Sequence, residues 1–250
     1  MTRSNTPSIR VGIGGWTFEP WRGVFYPDGL VQKRELEYAS SKLTSIEING
    51  TYYGSQKPES FRKWHDETPD GFVFSLKASR FCTNRRVLAE GGASVEKFIM
   101  SGLLELKDKL GPINWQFMAT KKFDPEDFAG FLALLPKSVE GRALRHAVEV
   151  RHESFRNPDF YAMAREHGVA IILAGDSEHP AIDEPTASFA YARIMGTKEE
   201  EPLGYSAADL DRWAERAKGW AADGREVFLY VISGAKQHNP AAAMALIERI

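Results

Sequence analysis

Eight short runs rich in β-branched and aromatic residues alternate along this chain with amphipathic stretches of helical spacing. That rhythm constrains the fold more than any other feature, because it builds an α/β domain around a parallel sheet. Strands are predicted at Arg10–Gly14, Ser45–Asn49, Phe72–Lys77, Ile113–Met118, His146–Arg151, Val169–Ala174, Phe189–Met195 and Val227–Ile232. Helices are predicted over Gln32–Lys42, Pro58–Glu67, Ser94–Leu110, Pro125–Leu135, Pro158–Glu166, Ala207–Ala222 and Pro240–Arg249. Asp124, Asn157 and Asn239 each precede a proline, the order of an N-cap followed by the first helical residue. Ser206 with Asp209 resembles a capping box. One helix is missing from the pattern. Gly175–Ser188 carries two prolines and little apolar periodicity, so strands six and seven are expected to be joined by a loop.

Eight strands and seven helices in 250 residues match a TIM-like (β/α)8 barrel. The competitor is an open doubly wound sheet, which has a glycine-rich turn leading straight from its first strand into a helix. Here Gly12–Trp16 reads GIGGW, not G-x-G-x-x-G, and runs into the aromatic loop TFEPWRGVFYP. The barrel is therefore preferred. Residues 1–8 are polar and read as a loose tail. From Ile9 onward no linker, repeat or low-complexity tract divides the chain, so 9–250 is expected to be one domain.

Composition narrows the function classes. A net charge of -2 gives no global pull toward nucleic acid or anionic lipid. No apolar run is long enough to cross a bilayer, and MTRSNTPSIR lacks the apolar core of a secretion signal. Cys82 is the only cysteine, which excludes an internal disulfide and a cysteine zinc cage and points to a reducing, cytoplasmic compartment.

Strand alternation supplies the candidate site. If the apolar members of each strand face the helices, the polar members face the barrel axis. The inward set is then Glu47 and Asn49, Ser75 and Lys77, Asn114 and Gln116, Glu149 and Arg151, Asp176, Tyr191 and Arg193; on strand eight both faces are apolar, so the parity is ambiguous and Tyr230 is the only polar candidate. Glu47, Glu149 and Asp176 would meet Lys77, Arg151 and Arg193 at the C-terminal strand ends, where barrel enzymes build their sites. The plain alternative is an ion-pair network that closes the barrel mouth.

Other signals are weaker. His152 and His179 follow strand ends and could reach the mouth, as could His238, whereas His146 shares the outward parity of Val148. There is no HExxH and no G-x-S-x-G elbow, which removes zinc peptidase and serine hydrolase readings. A divalent ion on Glu47, Glu149, Asp176 and His152 is chemically feasible, against competition from the neighbouring cations, and no metal is assigned. Trp16, the aromatics of Thr17–Pro27 and Tyr52–Tyr53 either cap the barrel or stack on a substrate. Three arginines in Arg80–Arg86 are a small footprint for a nucleic acid.

The segments GIGGW, WRGVFYP (Trp21–Pro27), IEINGTYY (Ile46–Tyr53), FSLKA ending at Ala78, LGPINWQ (Leu110–Gln116), VEVRHESF (Val148–Phe155) and YARIMG (Tyr191–Gly196), in that order, resemble the family catalogued as domain of unknown function 72, the YecE-like proteins. The resemblance spans Ile9 to the last helix. It implies a TIM-like barrel and no established activity. Two departures stand out: Ile232-Ser233 replaces the family's Asn-Asn after the last strand, and Met195 replaces its histidine after strand seven.

The expected function is acid/base chemistry at the mouth: a hydrolase, lyase or isomerase step on a small phosphorylated or carboxylated compound. Glu47, Glu149 and Lys77 are the candidate catalytic groups, a crowded carboxylate being expected to have a raised pKa. Trp16, Asn49, Tyr53, Gln116, Arg151, His152, Asp176 and Arg193 are the candidate substrate contacts. The alternatives are a metal-dependent hydrolase or isomerase of the endonuclease IV or xylose isomerase barrel kind, and a non-catalytic nucleotide- or nucleic-acid-binding module. No cofactor is indicated.

Overall fold

A computed structural model describes residues 8–250. Eight parallel strands form its ring: β1 (Ile9–Gly14), β2 (Ser45–Ile48), β3 (Val73–Lys77), β4 (Leu110–Gln116), β5 (His146–Glu149), β6 (Ala170–Ile171 and Leu173–Gly175), β7 (Phe189–Ile194) and β8 (Glu226–Val231). Each pairs with its neighbours in sequence, and β1 also pairs with β8. The ring closes in an unusual place. The first half of β6 bonds β5 and the second half bonds β7, so a single strand forms both edges of the sheet and changes partner at Ile172.

Seven helices of eight residues or more surround the ring among the described residues. They are α1 (Glu35–Lys42), α2 (Pro58–Asp66), α3 (Gly92–Ile99), α4 (Pro125–Ala133), α5 (Pro158–Glu166), α6 (Ala207–Ala222) and α7 (Asn239–Ile247). No helix lies between β6 and β7, as the two prolines imply. Thr186 in that connection covers the strand instead: its hydroxyl accepts from Ile171 N–H at 3.2 Å and donates to the Val169 carbonyl at 2.7 Å. Asp124, Asn157 and Ser206 cap α4, α5 and α6 through side-chain acceptance of backbone N–H groups. Asn239 does not cap α7. It is the first residue of that helix, and its amide oxygen is taken by Thr197.

Two other expectations are corrected. The helix drawn over Ser94–Leu110 stops at Ile99, because Gly102 adopts φ 102 against Pro58, and a 3-10 stretch over Leu103–Lys109 follows. Strand four begins at Leu110 rather than Ile113. The β3–β4 register slips between Phe74 and Leu76, which accommodates Pro112 inside a central strand. Ser8 is bonded to β8 through its carbonyl, which accepts from Val227 N–H at 3.0 Å, while residues 1–7 of the expected tail lie outside the described residues.

The parity argument holds for the strands. Val11, Ile13, Ile46, Ile48, Phe74, Leu76, Trp115 and Val148 form the layer between sheet and helices. A smaller inner cluster holds Val73, Ala147, Ile172, Phe189, Tyr191, Phe228 and Tyr230 along the axis. At the N-terminal end of the strands, Glu226 pairs with Arg10 and Arg145, and the Arg145 guanidinium lies 5.0 Å from the Phe228 ring. That plug leaves the C-terminal mouth as the way in.

Candidate active site

Above the inner aromatic layer, polar side chains stack in tiers. Tyr230 donates its hydroxyl to Ser75 at 2.7 Å and also contacts Ser45. Tyr191 donates to Glu47 at 2.5 Å. Arg193 then spans the barrel, pairing with Glu47 at 3.1 Å through one nitrogen and with Glu149 through the other. Asn114 bridges the two carboxylates with its amide at 3.3 and 3.4 Å, and Gln116 donates to Glu149 at 2.8 Å. Arg151 closes the stack with a two-nitrogen contact to Glu149, at 2.9 and 2.7 Å.

This arrangement corrects the expected role of the carboxylates. Glu47 and Glu149 are both fully buried and neither lines the mouth cavity. Burial alone would raise the Glu149 carboxyl, but Arg193, then Arg151 and Lys77, outweigh it and hold the group down at about 2. A carboxylate held there is a fixed charge at neutral pH, not a proton carrier. The same pairing keeps the Arg193 guanidinium charged despite its burial.

Lys77 is the exception in the cluster. It is 8% exposed, lines the cavity, and its ammonium makes no ion pair or hydrogen bond among the described residues. It stands over the face of Tyr52, with Nζ 4.1 Å from the ring centre. Desolvation, followed by the charge of Arg193, lowers its pKa from 10.5 to about 8 against the opposing pull of Glu47 and Glu149. Three cations share the cluster with two carboxylates. One positive charge is left over.

The cavity above has a volume of about 770 Å³. Lys77, Gln116, Arg151 and Arg193 lie at its base, and Asn49, Gln56 and Asn239 present amides. Trp16, Tyr52, Tyr53 and Trp64 supply aromatic walls, and Trp16 meets Trp64 edge to face at 5.2 Å. The rest of the first aromatic loop caps the barrel, since Trp21, Phe25 and Tyr26 are buried.

Two expected contacts are not in the cavity. Asp176 has φ 51, and this left-handed turn just past β6 breaks the strand parity. Its carboxylate accepts from Trp213 Nε1 on α6 at 2.7 Å. His152 spends Nδ1 on Ser154 N–H at 3.1 Å, capping the turn Glu153–Phe155. The proposed quartet of Glu47, Glu149, Asp176 and His152 is therefore not assembled as a metal cage, and no group of three metal-ligating side chains occurs among the described residues. His146 binds between Trp115 and the Pro136 carbonyl, outside the mouth. Arg85 is committed to the Phe81 and Glu90 carbonyls and to Ser94. The parity argument had no means to find Ser233, Lys236 and Asn239, which line the cavity from beyond the end of β8.

Among the described residues no helix is long and apolar enough to cross a membrane. Curated relatives include the UPF0759 protein YunF of Bacillus subtilis, 25% identical over 71% of this chain and 61% of its own length. The UPF0759 protein YecE of Escherichia coli is 27% identical over 63% of this chain and 52% of its own length. The matched stretch thus spans little more than half of either relative. Among solved structures, a DUF72 family protein from Thermotoga maritima superposes with a TM-score of 0.77 at 23% identity, covering 96% of this chain and 98% of that one. D-psicose 3-epimerase from Clostridium cellulolyticum, solved with D-tagatose, shares the barrel at a TM-score of 0.55 and 14% identity, covering 96% of both chains. A family model described as "Protein of unknown function DUF72" matches residues 10–250, and with the barrel and its charged mouth in view, the chain belongs to the DUF72 family.

Proposed function

We propose that the mouth is the active site of an acid/base enzyme acting on a small anionic substrate, with Lys77 as the group that carries the proton. The observation supporting this is the unpaired, buried ammonium of Lys77 facing an open cavity. A group with a pKa of about 8 is present in both protonation states near neutrality, which is what proton transfer in both directions needs. Arg151 is the half-buried cation that lines the cavity with it, and its guanidinium suits a carboxylate or phosphate. Negative charge developing on the substrate as Lys77 removes a proton would be met by Arg151 and by the ammonium that Lys77 itself becomes. Glu47 and Glu149 fix the arginines in place. A lyase or isomerase step fits this set, since both need one group to take and return a proton. Hydrolysis would need an activated water, for which the cavity offers no carboxylate. A cytoplasmic setting remains part of this reading and rests on the lone Cys82.

The test is a melting-temperature panel of phosphorylated and carboxylated sugars and acids against their neutral parents. Anionic members should raise the melting temperature of the wild type. Affinity should fall about ten-fold or more in Arg151→Met, the loss of a charge-assisted hydrogen bond. Turnover of any compound converted should disappear in Lys77→Met. Preference for the neutral parents, or full turnover in Lys77→Met, would overturn the reading.

A further inference from the structure

The β8 end of the cavity differs chemically from the end where Lys77 stands. Beyond β8 the chain passes through Ser233 and Gly234, both left-handed, makes a 3-10 turn over Lys236–His238 and enters α7 at Asn239. Donors collect here without acceptors. Asn239 is 2% exposed and lines the cavity. Its Oδ1 accepts from the Thr197 hydroxyl at 2.9 Å, and its Nδ2 has no partner among the described residues. Lys236 holds its ammonium 4.2 Å from the Phe18 ring centre and has no ion pair among the described residues. The backbone N–H groups of Ser233 and Gly234 also bond no described residue, while the Ser233 carbonyl is taken by Thr197 at 3.1 Å.

The segment is held in this shape from outside. Trp21 donates its indole N–H to the Lys236 carbonyl at 2.9 Å, and Ala235 N–H reaches the Thr197 carbonyl at 2.8 Å. An ammonium, a buried amide and free backbone N–H groups, fixed before any ligand arrives, are the equipment of an oxyanion site. Barrels often hold phosphate with the loops that follow strands seven and eight, where Thr197 and Ser233 lie.

β1 separates this end from β2 and β3, and its exit explains the glycines of GIGGW. A Cβ on Gly14 would lie 2.6 Å from Asn49 Nδ2 and 2.8 Å from Ile232 Cδ1, while Gly15 adopts φ 72 in open space. The two glycines thus add no side chain of their own between the two ends of the trough, where Asn49 and Ile232 close in over the β1 exit.

We infer that Ser233, Lys236 and Asn239 form a phosphate subsite, and that the substrate is a sugar-sized phosphomonoester whose phosphate sits there while its other end meets Lys77. This deepens the acid/base reading and rests on it for the role of Lys77. It also gives one of the family departures a use, since Ser233, with its unpartnered backbone N–H, lines the cavity in place of a side-chain amide.

The test titrates the intact protein with inorganic phosphate, ribose 5-phosphate and ribose, by calorimetry and phosphorus NMR. Ribose 5-phosphate should bind at least ten-fold more tightly than ribose. Lys236→Met and Asn239→Asp should each weaken it about ten-fold or more, while Lys77→Met changes inorganic phosphate binding less than about three-fold. Phosphate should also slow hydrogen exchange across residues 233–239 of the wild type, a readout independent of whether the Asn239 variant folds. If affinity for phosphate depends on Lys77 and Arg151 but not on Lys236 and Asn239, the subsite is overturned and the anionic mouth survives. Binding of carboxylated but not phosphorylated compounds has the same meaning. If no anion binds, both readings fall.

Discussion

Holding the Lys77 amine in its present position costs the fold free energy, and the cost has a pH signature. Between its folded value of about 8 and its ordinary 10.5, the unfolded chain binds more protons than the folded one, so this group makes stability rise with pH across that window. The full span is on the order of 3 kcal/mol. Lys77→Met should therefore be more stable than the wild type at pH 7, with the gap closing toward pH 10. Urea midpoints at the two pH values would show it, and an equal gap at both would contradict the lowered pKa. Glu149 also makes stability rise with pH, but in an acid window and as a stabilising group. Its contribution is complete above its ordinary 4.5 and is lost as pH falls toward about 2, again on the order of 3 kcal/mol. Glu149→Gln removes that slope, leaves Arg193 with Glu47 alone and Arg151 without its carboxylate, so it should destabilise by about 3–5 kcal/mol in chemical denaturation. Residue identity was enough to place these side chains on the axis, because alternation is a property of the strand. It could not show which charges were mutually satisfied. Glu149 and Lys77 sit in the same inward set, yet one is paired directly with two arginines and the other makes no direct ion pair.

Among the elements, β6 is the one most dependent on its surroundings. Its two short pieces bond different neighbours, and the connection that follows brings no helix to cover them. Thr186 substitutes for that cover with two hydrogen bonds in a buried position. Thr186→Val keeps the shape but leaves Ile171 N–H and the Val169 carbonyl unpaired, so a loss of about 1–3 kcal/mol is expected. Faster hydrogen exchange should appear at β6 before it appears at β3. The missing helix was legible from the prolines of that segment, and three caps were legible from residue type and spacing. Other boundaries were not. Apolar periodicity continued through Gly102, whose left-handed turn is set by contact with Pro58, a residue 44 positions earlier in the numbering. The turn at Asp176 is equally silent in the sequence, because what selects it is the Trp213 indole on α6.

At the scale of the whole molecule, net charge and local charge disagree. The chain carries -2 overall, while its mouth holds three cations above two neutralised carboxylates, with Lys236 at the far rim. Anion capture is thus a short-range property. Raising salt from about 0.05 to 0.5 M should weaken anion binding by less than about ten-fold, because charges recessed in a cavity are screened less than surface ones. A steeper dependence would indicate a polyanion lying across the outside of the protein. The barrel itself was readable from its strand–helix rhythm, whereas the β8 end of the trough was not, since its donors belong to loop backbone and to the first turn of a helix. Lys77 has one further practical consequence. An amine with a pKa of about 8 holds a larger neutral fraction near pH 7 than a solvated lysine does, and reacts faster as a nucleophile for that reason. A limiting dose of an acylating or aldehyde reagent should therefore mark Lys77 ahead of the other lysines, so the protein can be tagged and captured at its mouth and candidate ligands scored by how well they block the label.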